Sequence, residues 1–393
     1  MTEGLVAPGA HAAHAAHAAH AAHADDAAGP RAAAADPLAA ADLGATTLDP
    51  RGDRYLRACR REPVDATPVW FMRQAGRSLP EFRVIRERAT LIEITRDPAL
   101  CAEVTLQPVH RLGVDAAILF ADITTPFHGL GVAFDIKPGI GPVIEAPIRT
   151  LADIEALRAF DPEAAVGPLL EAIRLIRAAS PVPLIGFAGA PFTLACYLIE
   201  GGPSREFLRT RAFMHSEPDA WAALMERLVE MTVRYLSAQV AAGVQAVQVF
   251  DSWVGGLGPR DYDLHVGPWM RRLFDDLAVL GVPRTHFGIG TAGLLSRQAA
   301  AGGDVIGLDW RITLADGWGL VGDRSVQGNL DPALLLGPFD AVEDATDWIL
   351  DQAGVRPGHI FNLGHGVLPE TDPDHLRRVV DLVHERTSRR GAL

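Results

Sequence analysis

The stretch Val69-Trp70-Phe71-Met72-Arg73-Gln74-Ala75-Gly76-Arg77 sets four apolar residues directly before a turn that carries two arginines around a glycine. Four apolar residues in a row suit a short strand buried on both faces. Arginine makes planar, two-pronged hydrogen bonds to carboxylates and phosphates, so two of them at a strand's end point to an anion. Whether this is an isolated loop or one unit of a repeated plan decides the fold.

The plan repeats. Further short apolar runs lie at Ala116 to Phe120, Pro183 to Phe187, Ala246 to Phe250, Arg284 to Ile289, Val305 to Leu308, Ser325 to Gln327 and His359 to Asn362. Each is bounded by Gly, Pro or Asp and reads as a strand. Helical stretches lie between them, such as Glu217 to Ala242 and Ala341 to Ala353. Strand and helix alternate about eight times, which predicts an α/β protein built as a single (β/α)8 TIM barrel. A doubly wound open sheet is the competing architecture. The residues just after each run separate the two. Polar side chains stand there in nearly every case: Arg73 to Arg77, Asp122, Asp251-Ser252-Trp253, Asp309-Trp310-Arg311, Gly328-Asn329-Leu330-Asp331 and Gly364-His365-Gly366. In a barrel all of these converge on one mouth, whereas in an open sheet only those at the switch point would. The barrel is therefore preferred.

The chain has 393 residues and a formal charge of -13. Such an acidic balance disfavours a nucleic-acid partner, and it means that an anionic ligand needs a local basic pocket. No apolar run is long enough to span a membrane, and the N-terminus does not read as a secretory signal. Cys59, Cys101 and Cys196 are odd in number and far apart, which suits reduced thiols and a cytoplasmic protein. No C-x-x-C pair argues for zinc. Residues 1–50 form a low-complexity tail in which His11, His14, His17, His20 and His23 recur among alanines. It reads as a disordered extension more readily than as a metal-binding tract, because a spacing of three imposes no coordination geometry. The barrel is expected over residues 51–390.

Several single residues invite chemistry. Asp122 ends an apolar run, where a carboxylate must be paired, meet a cation or cap a helix. Tyr197 comes after the third run and reads equally as core packing. Ser252 lacks the surroundings of a nucleophile. His365 stands between two glycines, which let a ligand approach closely. The segment Gly288-Ile289-Gly290-Thr291-Ala292-Gly293 imitates a dinucleotide fingerprint, but it falls in the fifth of eight similar units, with no separate substrate domain evident.

Taken together these residues resemble the uroporphyrinogen decarboxylase family. The likeness is carried by Pro68 to Arg77 with Leu79-Pro80-Glu81-Phe82-Arg83, then by Thr105-Leu106-Gln107-Pro108, Asp115 to Ile123, and Gly186 to Leu194. It continues through Gln248 to Ser252, Gly307 to Trp310, Gln327 to Pro332 and Asn362 to Gly366. One departure is Ser78, where the family carries an aromatic residue. The resemblance implies a (β/α)8 homodimer acting on uroporphyrinogen III, a reduced tetrapyrrole with four acetates and four propionates. The acetates become methyls, giving coproporphyrinogen III and carbon dioxide, with no metal or organic cofactor. It further implies substrate contacts from Arg73, Gln74, Ala75, Gly76, Arg77, Asp122, Tyr197, Ser252 and His365, with Phe82 and Arg86 as additional ones. Asp122, Arg73 and Tyr197 are the implied catalytic residues. Two alternatives share the fold: a zinc-dependent methyltransferase, and a tetrapyrrole-binding protein without activity.

Overall fold

The computed structural model describes residues 52–137 and 139–388. The tail expected over residues 1–50 lies outside the described residues. Among the described residues the strands are, in chain order, β1 (Ala117–Ile118), β2 (Phe134–Lys137), β3 (Gly141–Ile144), β4 (Leu184–Gly189), β5 (Ala246–Asp251), β6 (Arg284–Gly288), β7 (Val305–Gly307), β8 (Ser325–Gln327) and β9 (His359–Ile360). Seven of them form one wholly parallel sheet in the order β1-β4-β5-β6-β7-β8-β9. The sequence had no signal for the other two, β2 and β3, which pair antiparallel as a separate hairpin. Helices fill the crossovers, the longest being Pro162–Ala179 before β4 and Pro218–Ala242 before β5. This is the expected alternation of an α/β protein.

The sheet curls on itself. Gln327 Nε2, on β8, donates to Gln248 Oε1, on β5, at 3.1 Å, although two strands separate them in the sheet. Trp70 Nε1 donates to Gln327 Oε1 at 3.0 Å, which adds the first apolar run to this interior chain.

The first of the eight expected strands, Val69 to Met72, is corrected to a single bridge, Val69 with Phe361. Two causes are visible. The Val69 N–H donates to the Asp115 side chain at 2.7 Å rather than to a backbone carbonyl. The chain then turns at once, with Gln74 N–H donating to the Phe71 carbonyl at 3.0 Å. The segment still meets both edges of the sheet. Phe361 N–H donates to the Pro68 carbonyl at 2.9 Å beside β9, and Asp115 N–H donates to the Val69 carbonyl at 2.8 Å beside β1.

Local chemistry explains where helices begin. Asp97-Pro98, Asp161-Pro162 and Asp372-Pro373 each place an aspartate at the N-cap and proline at the first helical position. The aspartate accepts backbone N–H groups that the helix cannot satisfy, and proline has no N–H to lose. The core lies between sheet and helices, where Phe192, Val247, Ile306, Val326 and Phe361 are fully buried. Every residue of β4 is buried, as expected of a strand covered on both faces.

Candidate active site

The turn after the first apolar run is held in an unusual shape. Arg73 and Arg77 adopt left-handed backbone, with φ of 62° and 41°, and Gly76 lies at 101°. Glycine takes this conformation freely, whereas another residue gives up roughly 1–2 kcal/mol. Strain of this kind persists where the surroundings enforce it, commonly at functional sites. Gln74 supplies part of that enforcement. Phe71 N–H donates to its Oε1 at 2.9 Å, and its Nε2 donates to the Ala116 carbonyl at 2.8 Å, which ties the loop to the strand beside it. Gly366 supplies the rest, since a Cβ there would lie 2.5 Å from Arg73 Cδ. Phe82 props the loop from below. It packs on Phe120 with ring centroids 5.4 Å apart, under Gly76. Ala75 is half-buried in the same turn.

Asp122 lies just beyond β1. Thr124 donates to its Oδ1 twice, from N–H at 2.9 Å and from O–H at 2.6 Å. One carboxylate oxygen thus caps a local turn. The other, Oδ2, meets no donor among the described residues. Tyr197 lies on the helix Pro191–Glu200, directly after β4. Burial pushes its phenol well above the usual range, the Asp122 carboxylate adds to this, and the Arg73 guanidinium opposes it. Both charges thus act on the phenol across the mouth. The Tyr197 ring stacks on Trp253 at 4.2 Å, and Trp253 on Phe207 at 4.8 Å, which builds an aromatic wall. Ser252 is half-buried at the foot of that wall.

His365 follows β9, and Arg73 packs against the next residue, Gly366. His365 Nδ1 accepts the Gly366 N–H at 2.7 Å, so a neutral ring carries its proton on Nε2. Burial pushes the imidazole down to about 4, helped by Arg73, Arg77 and Arg311. Arg77 is itself pushed down to about 10, first by burial and then by Arg73, so it remains cationic at neutral pH. Arg86 stands apart. It is exposed and donates to the Ala89 carbonyl at 2.5 Å.

Arg311 was not singled out in the sequence, although its place two residues after Asp309 repeats the pattern of a cation beyond a strand's end. It donates to Asp309 Oδ2 at 2.7 Å and lies 3.9 Å over the Trp310 ring. Asp309 Oδ2 also accepts the Gly290 N–H at 2.6 Å. The glycine-rich turn at 288–293 thus spends its central N–H on a strand-end carboxylate, which leaves no cradle for a phosphate there. Asn329 Nδ2 donates to the Asp309 and Ile312 carbonyls at 2.9 and 2.7 Å, fixing the loop that carries Arg311.

Chemically, the mouth offers three guanidinium groups, a neutral imidazole with one N–H to give, a phenol, and one carboxylate oxygen with no donor. Cations around the rim suit a ligand with several carboxylates. The carboxylate oxygen suits N–H donors or developing positive charge within that ligand.

Comparison with known proteins agrees. The model of the uroporphyrinogen decarboxylase family matches residues 50–386. A uroporphyrinogen decarboxylase of Sorangium cellulosum is 56% identical over 335 residues, covering 84% of this chain and 96% of the relative. One from Thermus thermophilus is 55% identical over 338 residues, covering 86% and 99%. Among solved structures, a methyltransferase from Methanosarcina mazei superposes with a TM-score of 0.73 at 20% identity, covering 86% of this chain and 98% of that one. At such low identity the likeness speaks for the fold alone, a TIM-barrel-like arrangement.

Proposed function

The chain belongs to the uroporphyrinogen decarboxylase family, and from that premise we propose how its mouth carries out the reaction. The activity is decarboxylation in porphyrin biosynthesis, that of a carboxy-lyase. The substrate is uroporphyrinogen III and the product coproporphyrinogen III. The observation that carries the assignment of roles is Asp122. Its Oδ2 has no donor among the described residues, yet Arg73 and Tyr197 lie close enough to influence one another.

Each acetate must lose carbon dioxide and gain a proton. Protonating a pyrrole ring carbon creates a cation conjugated with the acetate methylene. When the carboxylate leaves as carbon dioxide, its bonding pair neutralises the ring and forms an exocyclic double bond. A proton added to the exocyclic carbon, with loss of the ring proton, restores the pyrrole and leaves a methyl. The ring is the electron sink, so we assign no metal or organic cofactor a step. Asp122 accepts the central pyrrole N–H groups and offsets the ring's positive charge, a preorganised electrostatic partner. Arg73 holds the reacting acetate. Arg77 and Arg311 hold other carboxylates, and His365 donates from Nε2 to one more. Tyr197 stays protonated and donates to a carboxylate while its ring, against Trp253, orients the macrocycle. Gln74, whose amide is spent on backbone, acts by holding the loop. Ala75, Gly76 and Ser252 line the cavity, and Phe82 supports it. Arg86 enters only at the rim.

We further propose that the Pro68 to Phe71 segment serves as the eighth strand, closing the sheet into a (β/α)8 barrel. Its hydrogen bonds to both sheet edges support this. The family match over 50–386 supports one barrel domain over 51–390. A homodimer in the cytoplasm completes the proposal, and sedimentation would test the pairing. No helix among the described residues is long and apolar enough to cross a membrane.

The test is anaerobic incubation of the protein with uroporphyrinogen III, with chelator present and no cofactor added. Products are oxidised to porphyrins and resolved by mass. A ladder of successive carbon dioxide losses ending at the four-carboxylate product is expected. Unchanged substrate would overturn the proposal.

A further inference from the structure

His215, Asp261 and His265 lie outside the mouth and take no part in the chemistry above. Each can offer one ligand atom, and these atoms all lie within 4.8 Å of one another. His215 Nε2 is 3.7 Å from an Asp261 carboxylate oxygen, beyond hydrogen-bond reach. The two imidazole rings meet edge to face with centroids 5.1 Å apart. Three polar groups are thus gathered without hydrogen-bonding one another among the described residues. We infer that they form a binding site for a divalent transition-metal ion such as zinc, nickel or cobalt.

The His215–Asp261 separation already matches the chemistry, and the widest pair, within 4.8 Å, needs side-chain rotations that close it by up to about 1 Å. Ligand atoms about 2.0–2.2 Å from a shared ion lie roughly 3–3.7 Å apart. Two imidazoles and one carboxylate favour these ions over magnesium or calcium, which take all-oxygen sites. The backbone is prepared for it. His215 lies in the last turn of the helix Leu208–Ser216, and Asp261 ends a short helical turn. The chain continues into a single π-helical turn, Tyr262–Val266, which carries His265, and such turns gather at functional sites. The His265 carbonyl accepts Trp221 Nε1 at 3.0 Å, and Tyr262 is fully buried, so the turn is anchored. The neighbouring Asp263 is engaged separately with Arg297 at 2.9 Å, which leaves Asp261 to the histidines.

The position suggests a role. Phe207, the N-cap residue of the helix that bears His215, stacks on Trp253 of the aromatic wall. Asp261 and His265 come soon after Trp253 in the chain. An ion here would pin the two segments that carry the wall beside Tyr197, as a structural clamp.

Thermal unfolding of the full-length protein, stripped with chelator and then titrated with zinc, tests this. Any zinc held by the histidines at 11–23 cancels from the comparison, because every protein compared carries them. An ion held by the folded state raises the unfolding midpoint in proportion to the logarithm of its concentration over Kd. The wild type should gain several degrees at saturation. His215→Ala, at a half-exposed position, and Asp261→Asn should keep the metal-free midpoint and lose the gain. Equilibrium dialysis should find one fewer zinc ion per chain in His215→Ala than in the wild type. Equal gains in wild type and variants, no gain in any of them, or equal zinc uptake would overturn the assignment.

Discussion

At the scale of single residues, the account rests on a carboxylate with a spare oxygen and an arginine held in a strained turn. Asp122→Ala should lower kcat by about 10²–10³-fold, the usual cost of removing one preorganised electrostatic partner. Circular dichroism and the unfolding midpoint should change little, since only the Thr124 capping bonds are lost. Near-normal turnover would remove Asp122 from the mechanism. Gly366→Ala tests Arg73 without touching it. The new methyl would lie 2.5 Å from Arg73 Cδ and must displace the guanidinium. A shift of about 1 Å at a positioned group can cost up to ~100-fold, so kcat/KM should fall by about 10–100-fold with the fold retained. Unchanged kinetics would show that the arginine's position is uncritical. Arg73, Arg77, Asp122 and His365 were legible in the sequence because each stands straight after an apolar run. Arg311 follows a run in the same way but was given no role, because its place is set by an aspartate and a tryptophan beside it and by the distant Asn329.

At the scale of elements, the loop of Arg73 is only as rigid as its ties. Gln74→Ala leaves the Phe71 N–H and the Ala116 carbonyl unpaired in a buried place. Each such loss costs about 1–3 kcal/mol. Urea denaturation should report a loss of about 2–6 kcal/mol for the two together, accompanied by a higher KM for the substrate. A variant with wild-type stability would show that the amide is dispensable. Strand order was readable in advance, and so were the helices expected at Glu217 to Ala242 and Ala341 to Ala353, which run over Pro218–Ala242 and Phe339–Ala353. The Phe134–Ile144 hairpin was not, because its two strands of four residues are too short to show a period. The first run was read as a full strand because its apolar pattern matches one. What cuts it short is a side chain 46 residues away, Asp115, taking the Val69 N–H, and local pattern carries no sign of that.

At the scale of the whole molecule, buried imidazoles tie stability to pH. His359 and His365 are both pushed down to about 4, chiefly by burial. In the unfolded chain they take up protons near pH 6.5. Between these values the unfolded state binds more protons, so stability rises with pH, is fully present above about 6.5 and falls on acidification toward 4. Each group contributes a slope of at most about 1.4 kcal/mol per pH unit in that window. Urea midpoints should drop between pH 6.5 and 4.5, and His359→Gln should flatten part of that drop. A slope unaltered by the substitution would mean that other groups set the acid limb. The central claim is that one mouth, built from the ends of most of the strands, reads a ring of carboxylates from outside and its N–H groups from within. Its most direct test is an experimental structure with coproporphyrinogen III bound. The account predicts carboxylates on Arg73, Arg77 and Arg311 and pyrrole N–H groups within hydrogen-bond reach of Asp122 Oδ2. A tetrapyrrole bound with its nitrogens turned away from Asp122, or outside this mouth, would contradict it.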